Sequence, residues 1–400
     1  MLRPYRQLFS APGALKFSLA GFFARITMST VGLGIVLVVS GVHGRYGLAG
    51  TVAATYTLVV AVAAPNIAGL ADRRGQAFVL PVSAATFAAG LIALVACTAL
   101  RAPDWSLFPA AAVAACGYAP VGSMIRARWA GIYGGTERLH VAYSLESVLD
   151  ELIFIAGPIL ITVLITRVNP VVGLLAVLVL ALAGMISLAA QRSTQPVTGA
   201  DVGGSGTVLR LRPVMVLMPV MVGLGALFGA MDLVTVAFAS QAGQRWASGL
   251  ILACAASGSA LAGLWYGSRA FRTPVHRRLV AGVVVMWLVS FLLLLPRSVP
   301  VLAVVLFGFG LTVAPTLVSS ASLVEARVPR TQLTEGMTWN QTALIVGVTA
   351  GSAIAGTLVD AIGPQLAYLT SVGAATIAAM AALGGVRWLG APSSESGSRP

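Results

Sequence analysis

A chain of 400 residues that is 58% hydrophobic and only 9% charged cannot clothe itself as a water-soluble domain, where about 25% charge is usual. Runs of about twenty apolar residues recur from end to end, long enough for a ~30 Å hydrocarbon core and without the period-two alternation of a transmembrane β-barrel. The net charge of +13 is scattered through short connections, with no basic domain or arginine-rich helix, so nucleic acid is excluded as a partner.

The sequence predicts an all-α membrane protein with twelve transmembrane helices. The first six fall near 14–41, 47–70, 77–100, 105–127, 141–166 and 170–190. The second six fall near 213–240, 246–267, 278–296, 299–324, 337–360 and 365–389. The first is too long for a signal-peptide core and leads straight into a second span. Residues 1–190 and 213–400 are thus two six-helix bundles, the second with a short tail, and 191–212, rich in Gly, Ser and Thr, is a flexible linker. Leaving Arg25 aside, 19 of the 25 basic residues lie in one set of connections and 5 in the other. By the positive-inside rule, both termini and the linker are expected in the cytoplasm, with the chain in the cytoplasmic membrane.

Charge inside the spans is costly, about 2.5–3.5 kcal/mol for each side chain on insertion scales, and each instance asks for a reason. The first span holds Arg25 on a face with Ser18, Gly21, Ser29 and Gly32, small and polar neighbours that suit a packed or water-lined face. Between the second and third spans the stretch "GLADRRGQ" (Gly69 to Gln76) gathers charge into an expected turn. Arg126 and Arg128 lie at the cytoplasmic end of the fourth span. The fifth reads "YSLESVLDELIFIAGP": Glu146 and Asp150 share a face with Tyr143 and Gly157, while Glu151 turns about 100° away. Gly157-Pro158 then provides a mid-span kink. The seventh span carries Asp232 after "GALFG" (Gly225 to Gly229), a small-xxx-small face suited to close packing.

These spans hold four carboxylates against a single deep arginine. Glu146 is shallow enough to pair with Arg126 and Arg128, and Arg25 can pair with Asp150 or Glu151. A buried carboxylate left over would have a raised pKa and bind a proton, so Asp150, Glu151 and Asp232 are candidate proton carriers. The alternative is a structural ion network that satisfies every acid.

The halves echo each other at an offset of 194 to 195. Gly69-Leu70 matches Gly263-Leu264, "YAP" (Tyr118 to Pro120) matches "VAP" (Val313 to Pro315), Gly157 matches Gly351, and Asn169-Pro170 matches Gly363-Pro364. Asn340 aligns with Glu146, flanked by Thr338 and Gln341, and makes the second half's crevice polar but uncharged. Two joined six-helix repeats are the organisation of transporters that rock around a central site.

With these features the chain resembles the major facilitator superfamily over nearly its whole length. The superfamily's turn between helices 2 and 3 has a glycine, an aspartate-arginine pair and a second glycine; here these are Gly69, Asp72, Arg73 and Gly75. Gln76, Ala77 and Phe78 follow where the family usually adds basic residues, and Tyr266 stands where Asp72 would recur in the second half. The resemblance implies a monomeric secondary transporter with no cofactor. It further implies that Asp72 latches the cytoplasmic side by facing the positive N-terminal end of helix 11, near Thr334 to Thr338. A solvated turn that only sets topology is the alternative. Exporters of the drug/proton antiporter kind end a longer glycine pattern in Gly-Pro, as at Gly157-Pro158, and this points to export; uptake symport or uniport is the other reading.

An intramembrane enzyme needs a nucleophile or metal constellation. His43, His140 and His276 are far apart, and Cys97, Cys116 and Cys254 have no ligand spacing, so no metal site is expected. No phosphate-binding loop encodes ATP-driven transport. A non-transporting sensor is the remaining alternative. The expectation is a transporter, not an enzyme, whose partners are a small-molecule substrate, protons and the surrounding membrane lipid.

Overall fold

The structure is a computed structural model that describes residues 3–198, 208–244, 247–269 and 271–390. The centre of the linker, Arg245, and the tail with Arg399 lie outside the described residues. A short amphipathic helix, α1 (Arg3–Leu8), precedes the spans. The first half then runs α2 (Ala14–Arg25), α3 (Thr27–His43), α4 (Tyr46–Arg74), α5 (Gln76–Ala99), α6 (Leu107–Cys116), α7 (Val121–Tyr133), α8 (Glu137–Val163) and α9 (Pro170–Ala190). The second half runs α10 (Arg212–Gln241), α11 (Ser248–Gly267), α12 (Val275–Ser290), α13 (Val299–Arg327), α14 (Leu333–Ile362), α15 (Pro364–Ala367), α16 (Leu369–Gly384) and α17 (Val386–Gly390).

Among the described residues, eleven segments are long and apolar enough to cross a membrane. The expected fifth span is α8, which carries Glu137, Arg138, Glu146, Asp150 and Glu151 along its 27 residues and is too charged to count among them. Three spans expected as single helices are built from pieces, and the last of them, 365–389, consists of α15, α16 and α17. α2 and α3 meet at Ile26, and α6 and α7 are separated by Gly117 to Pro120, where Pro120 has no amide hydrogen to continue the ladder. The charged stretch after the second span is helix, not turn. α4 continues through Asp72 to Arg74, and the chain reverses at one residue, Gly75, with φ +88°. Asp, Arg and Arg extend a helix at little cost, whereas only glycine adopts that φ freely.

By packing, the described residues fall into two compact units. One holds Arg6–Gly134 with Leu149–Val202, and the other holds residues up to Tyr5, Gly135–Val148 and those from Gly203 onward. The division cuts α8 between Val148 and Leu149, so the start of that helix packs with the second half of the chain. In the first unit the core centres on Ile35, Val52, Phe87, Leu91, Ala111 and Leu174. Large apolar side chains such as Leu58 and Val62 on α4 and Val304 on α13 stay exposed, as a hydrocarbon solvent permits.

Candidate functional site

The first unit holds a buried ion triad. Arg25 ends α2, Arg126 lies on α7, and Asp150 sits on α8. Asp150 accepts from Arg25 Nη1 through Oδ1 at 2.8 Å and from Arg126 Nη2 through Oδ2 at 2.7 Å. Both guanidinium groups are almost wholly buried, and the Asp150 side chain is 14% exposed. Arg25 Nε also donates to Gly21 O at 3.2 Å, and Arg126 Nη1 to Gly122 O at 3.4 Å. Gly122 lies against both side chains: a Cβ there would sit 3.3 Å from Arg126 Nη1 and 3.5 Å from Arg25 Cδ. Arg126 meets Arg25 here because α7, which starts at Val121, packs against α2.

Arg128, two residues on, points elsewhere. It is fully buried and donates to Gln76 Oε1 (2.7 Å), Leu188 O (2.8 Å), Gln191 O (2.8 Å) and Thr194 Oγ1 (2.7 Å). A cation on the last carbonyls of α9 satisfies acceptors that a helix end leaves open. Gln76 also donates to Met124 O at 3.1 Å, and Gln195 Oε1 accepts from the Ala77 amide at 2.8 Å. The reversal at Gly75 is therefore tied to both α7 and the chain after α9. Next to it Asp72 is buried while Arg73 and Arg74 are exposed, and Gly69 lies one turn earlier on α4.

Further along α8, Glu146 is fully buried and Glu151 is half-buried. Gly157 lets α3 approach closely: Ser29 Oγ donates to Ile153 O at 2.9 Å, and a Cβ on Gly157 would collide with Ser29. Pro158 follows inside the helix.

In the second unit, α10 packs on α14 through four glycines. A Cβ at Gly225 would meet Leu344 and Val348, one at Gly229 would meet Val348 and Ser352, and ones at Gly347 and Gly351 would meet Val222 and Ala226. Ser352 Oγ donates to Gly229 O at 2.9 Å. Asp232, three residues beyond Gly229, is exposed and lines an open cavity of about 630 Å³ with Leu233, Val236, Ala237, Ser240 and Leu252. Asn340 is buried on α14, donating from Nδ2 to Ser320 Oγ at 2.9 Å, while its Oδ1 has no hydrogen-bond partner among the described residues.

The second copy of the "GL" landmark has its own surroundings. The Tyr5 hydroxyl donates to Gly263 O (3.2 Å) and Leu264 O (2.8 Å), and burial pushes this phenol up to about 12, so it remains a donor at neutral pH. Tyr266, at the place matching Asp72, shares a hydrogen bond with Ser319 Oγ at 2.8 Å. His140 Nε2 lies 2.8 Å from Tyr266 O, and Arg278 lies over the Tyr266 and Phe271 rings.

Among the described residues no group of three His, Cys, Asp or Glu side chains could hold a metal ion. The sequence profile described as Major Facilitator Superfamily matches residues 17–322. The chain belongs to that superfamily. It is a multi-pass membrane transporter of small solutes, not an enzyme. This facilitator has the fold of several solved relatives. A bacterial homologue of the iron transporter ferroportin, in its outward-facing state, is 12% identical with TM-score 0.75, covering 94% of this chain and 98% of that one. The E. coli fucose:proton symporter FucP is 13% identical with TM-score 0.69, covering 93% and 98%. The human organic anion transporter TETRAN is 15% identical with TM-score 0.67, covering 92% and 98%. No curated protein sequence matches the chain.

Sequence reasoning missed the packing or pairing role of four residues in this facilitator. Gln76 reads as a missing basic residue, yet it is the partner of Arg128. Gly122 reads as one small residue among many, and its use depends on two arginines arriving from different helices. Gly347 and Gly351 form a small-xxx-small pair that complements "GALFG", a signal present in the sequence of α14.

Proposed function

We propose that this facilitator moves a small organic solute across the cytoplasmic membrane by alternating access, coupled to protons through Asp150. The halves 1–190 and 213–400 rock about a central pathway, joined by the linker 191–212 and with both termini cytoplasmic. One observation carries the reading: Asp150 bridges Arg25 and Arg126, with one oxygen to each. Both oxygens of the carboxylate are thus occupied by guanidinium donors. An acidic group on a solute can take over a guanidinium, and the displaced carboxylate, short of countercharge, then binds a proton. Solute and proton each raise the other's affinity by the same factor. The human relative is an organic anion transporter, which agrees with that solute class. Glu146, Glu151, Asp232 and Asn340 extend the pathway, and Asp72 with Gly69, Arg73 and Gly75 forms the cytoplasmic latch.

The Gly157-Pro158 ending of the fifth span favours a second reading, proton-driven export. A basic solute would compete with the proton for Asp150, and such competition is what antiport requires. Proteoliposomes with an imposed pH gradient and labelled organic acids and bases separate the two. Acid accumulation down an inward proton gradient, abolished in Asp150→Asn, supports co-transport. Base uptake driven by an outward proton gradient, also abolished in Asp150→Asn, supports antiport. Full gradient-driven flux in Asp150→Asn removes Asp150 as the coupling group.

A further inference from the structure

A second cavity, of about 370 Å³, opens where α4 ends, α5 begins and the chain leaves α9, lined by Arg74, Ala77, Phe78, Arg192 and Gln195. Its two arginines are exposed, and among the described residues neither has a carboxylate partner. Arg74 lies over the Phe78 ring, 5.6 Å from its centroid. The walls are held from behind: Arg128 binds Leu188, Gln191 and Thr194, and Gln195 binds the Ala77 amide. The cavity is thus a shaped cleft whose floor is fixed, with two guanidinium groups free to meet an anion.

Its surroundings set the class of that anion. On α5 the exposed residues climb from Phe78 through Val82, Ala85 and Ala89 to Ile92, a stripe at helical spacing that faces hydrocarbon. The neighbouring α9 likewise exposes Ile186 and Val179. A ligand fitting both parts has a phosphate at one end and apolar chains at the other. Guanidinium groups suit phosphate oxygens because they donate two parallel hydrogen bonds, and basic pockets at the membrane surface gather anionic lipid.

We infer that this cleft binds the headgroup phosphate of an anionic phospholipid, with its acyl chains along the α5 stripe. The inference rests on the chain spanning a membrane and not on Asp150 or the solute. The site lies directly beside the Gly75 reversal, so lipid would brace the segment that carries Asp72.

Native mass spectrometry of the full chain, in micelles with equal phosphatidylglycerol and phosphatidylcholine of matched acyl chains, tests it. The expected result is about a tenfold preference for phosphatidylglycerol, lost when Arg74→Gln and Arg192→Gln are combined. Arg269→Gln is the control: Arg269 is another exposed arginine, lying over Trp265, and its loss leaves the preference intact. Melting in phosphatidylcholine, unchanged by the double substitution, establishes that the variant is folded. Equal binding of both lipids by the unaltered protein, or an undiminished preference in the double variant, overturns the site. Glycerol phosphate in phosphatidylcholine micelles distinguishes a lipid from a soluble phosphate. A thermal shift as large as that from phosphatidylglycerol would overturn the lipid assignment.

Discussion

Corresponding helix pairs in the two halves are joined by different chemistry. In the first, α8 meets α2 and α3 around the Arg25–Asp150 pair and the Ser29 contact at Gly157. In the second, α14 meets α10 along Gly225, Gly229, Gly347 and Gly351, backbone against backbone. A carboxylate held by two arginines has discrete alternatives, since either guanidinium can be exchanged for another anion or the acid for its protonated form. A glycine seam has none, because its contacts are van der Waals and a shift simply opens a gap. On the function proposed above, the charged seam is the one that solute and proton would act on. The turns differ in the same way: Asp72 is buried beside Gly75, whereas Tyr266 sits among His140, Phe271 and Arg278.

The largest effect is expected at the charged seam. Asp150→Ala leaves two buried guanidinium groups without their shared acceptor, a change expected to cost about 3–5 kcal/mol. Thermal unfolding in detergent measures it, and combining Arg25→Gln with Asp150→Asn should recover part of the loss by removing charge from both sides. An unchanged melting temperature in Asp150→Ala would mean that the seam is held by its other contacts. Gly351→Val, at the uncharged seam, drives a branched side chain into the Ala226 backbone, at about 1–3 kcal/mol. Size-exclusion chromatography and melting should register it, and insensitivity would show that α10 and α14 can separate freely. The smallest change in stability is expected for Asp72→Asn, which keeps shape and removes charge. It should insert and melt normally yet transport several-fold more slowly, whereas Tyr266→Phe should leave the rate unchanged. Normal flux in Asp72→Asn would reduce the reversal to a topological turn.

Much of this molecule was legible in one dimension. Span number follows from apolar length, and the repeat from landmarks such as Gly157 and Gly351, because both are properties of residue type and order. α8 was expected as a span near 141–166 although its charge keeps it from passing by hydropathy. Helix ends were less legible. Asp72 to Arg74 read as turn because charge correlates with connections, whereas the backbone reverses only where φ turns positive at Gly75.

By itself, the sequence determined a twelve-span facilitator with charge concentrated on the fifth helix, since the hydrocarbon core penalises every misplaced polar residue. Only the tertiary structure decided that Asp150 takes both Arg25 and Arg126, and that Arg128 turns away to Gln76 and the end of α9. Arg126 and Arg128 are two residues apart on α7, roughly 200° around the helix, and so face different neighbours. Which neighbours those are depends on where α8 and α9 lie in space, and no spacing along the chain carries that information.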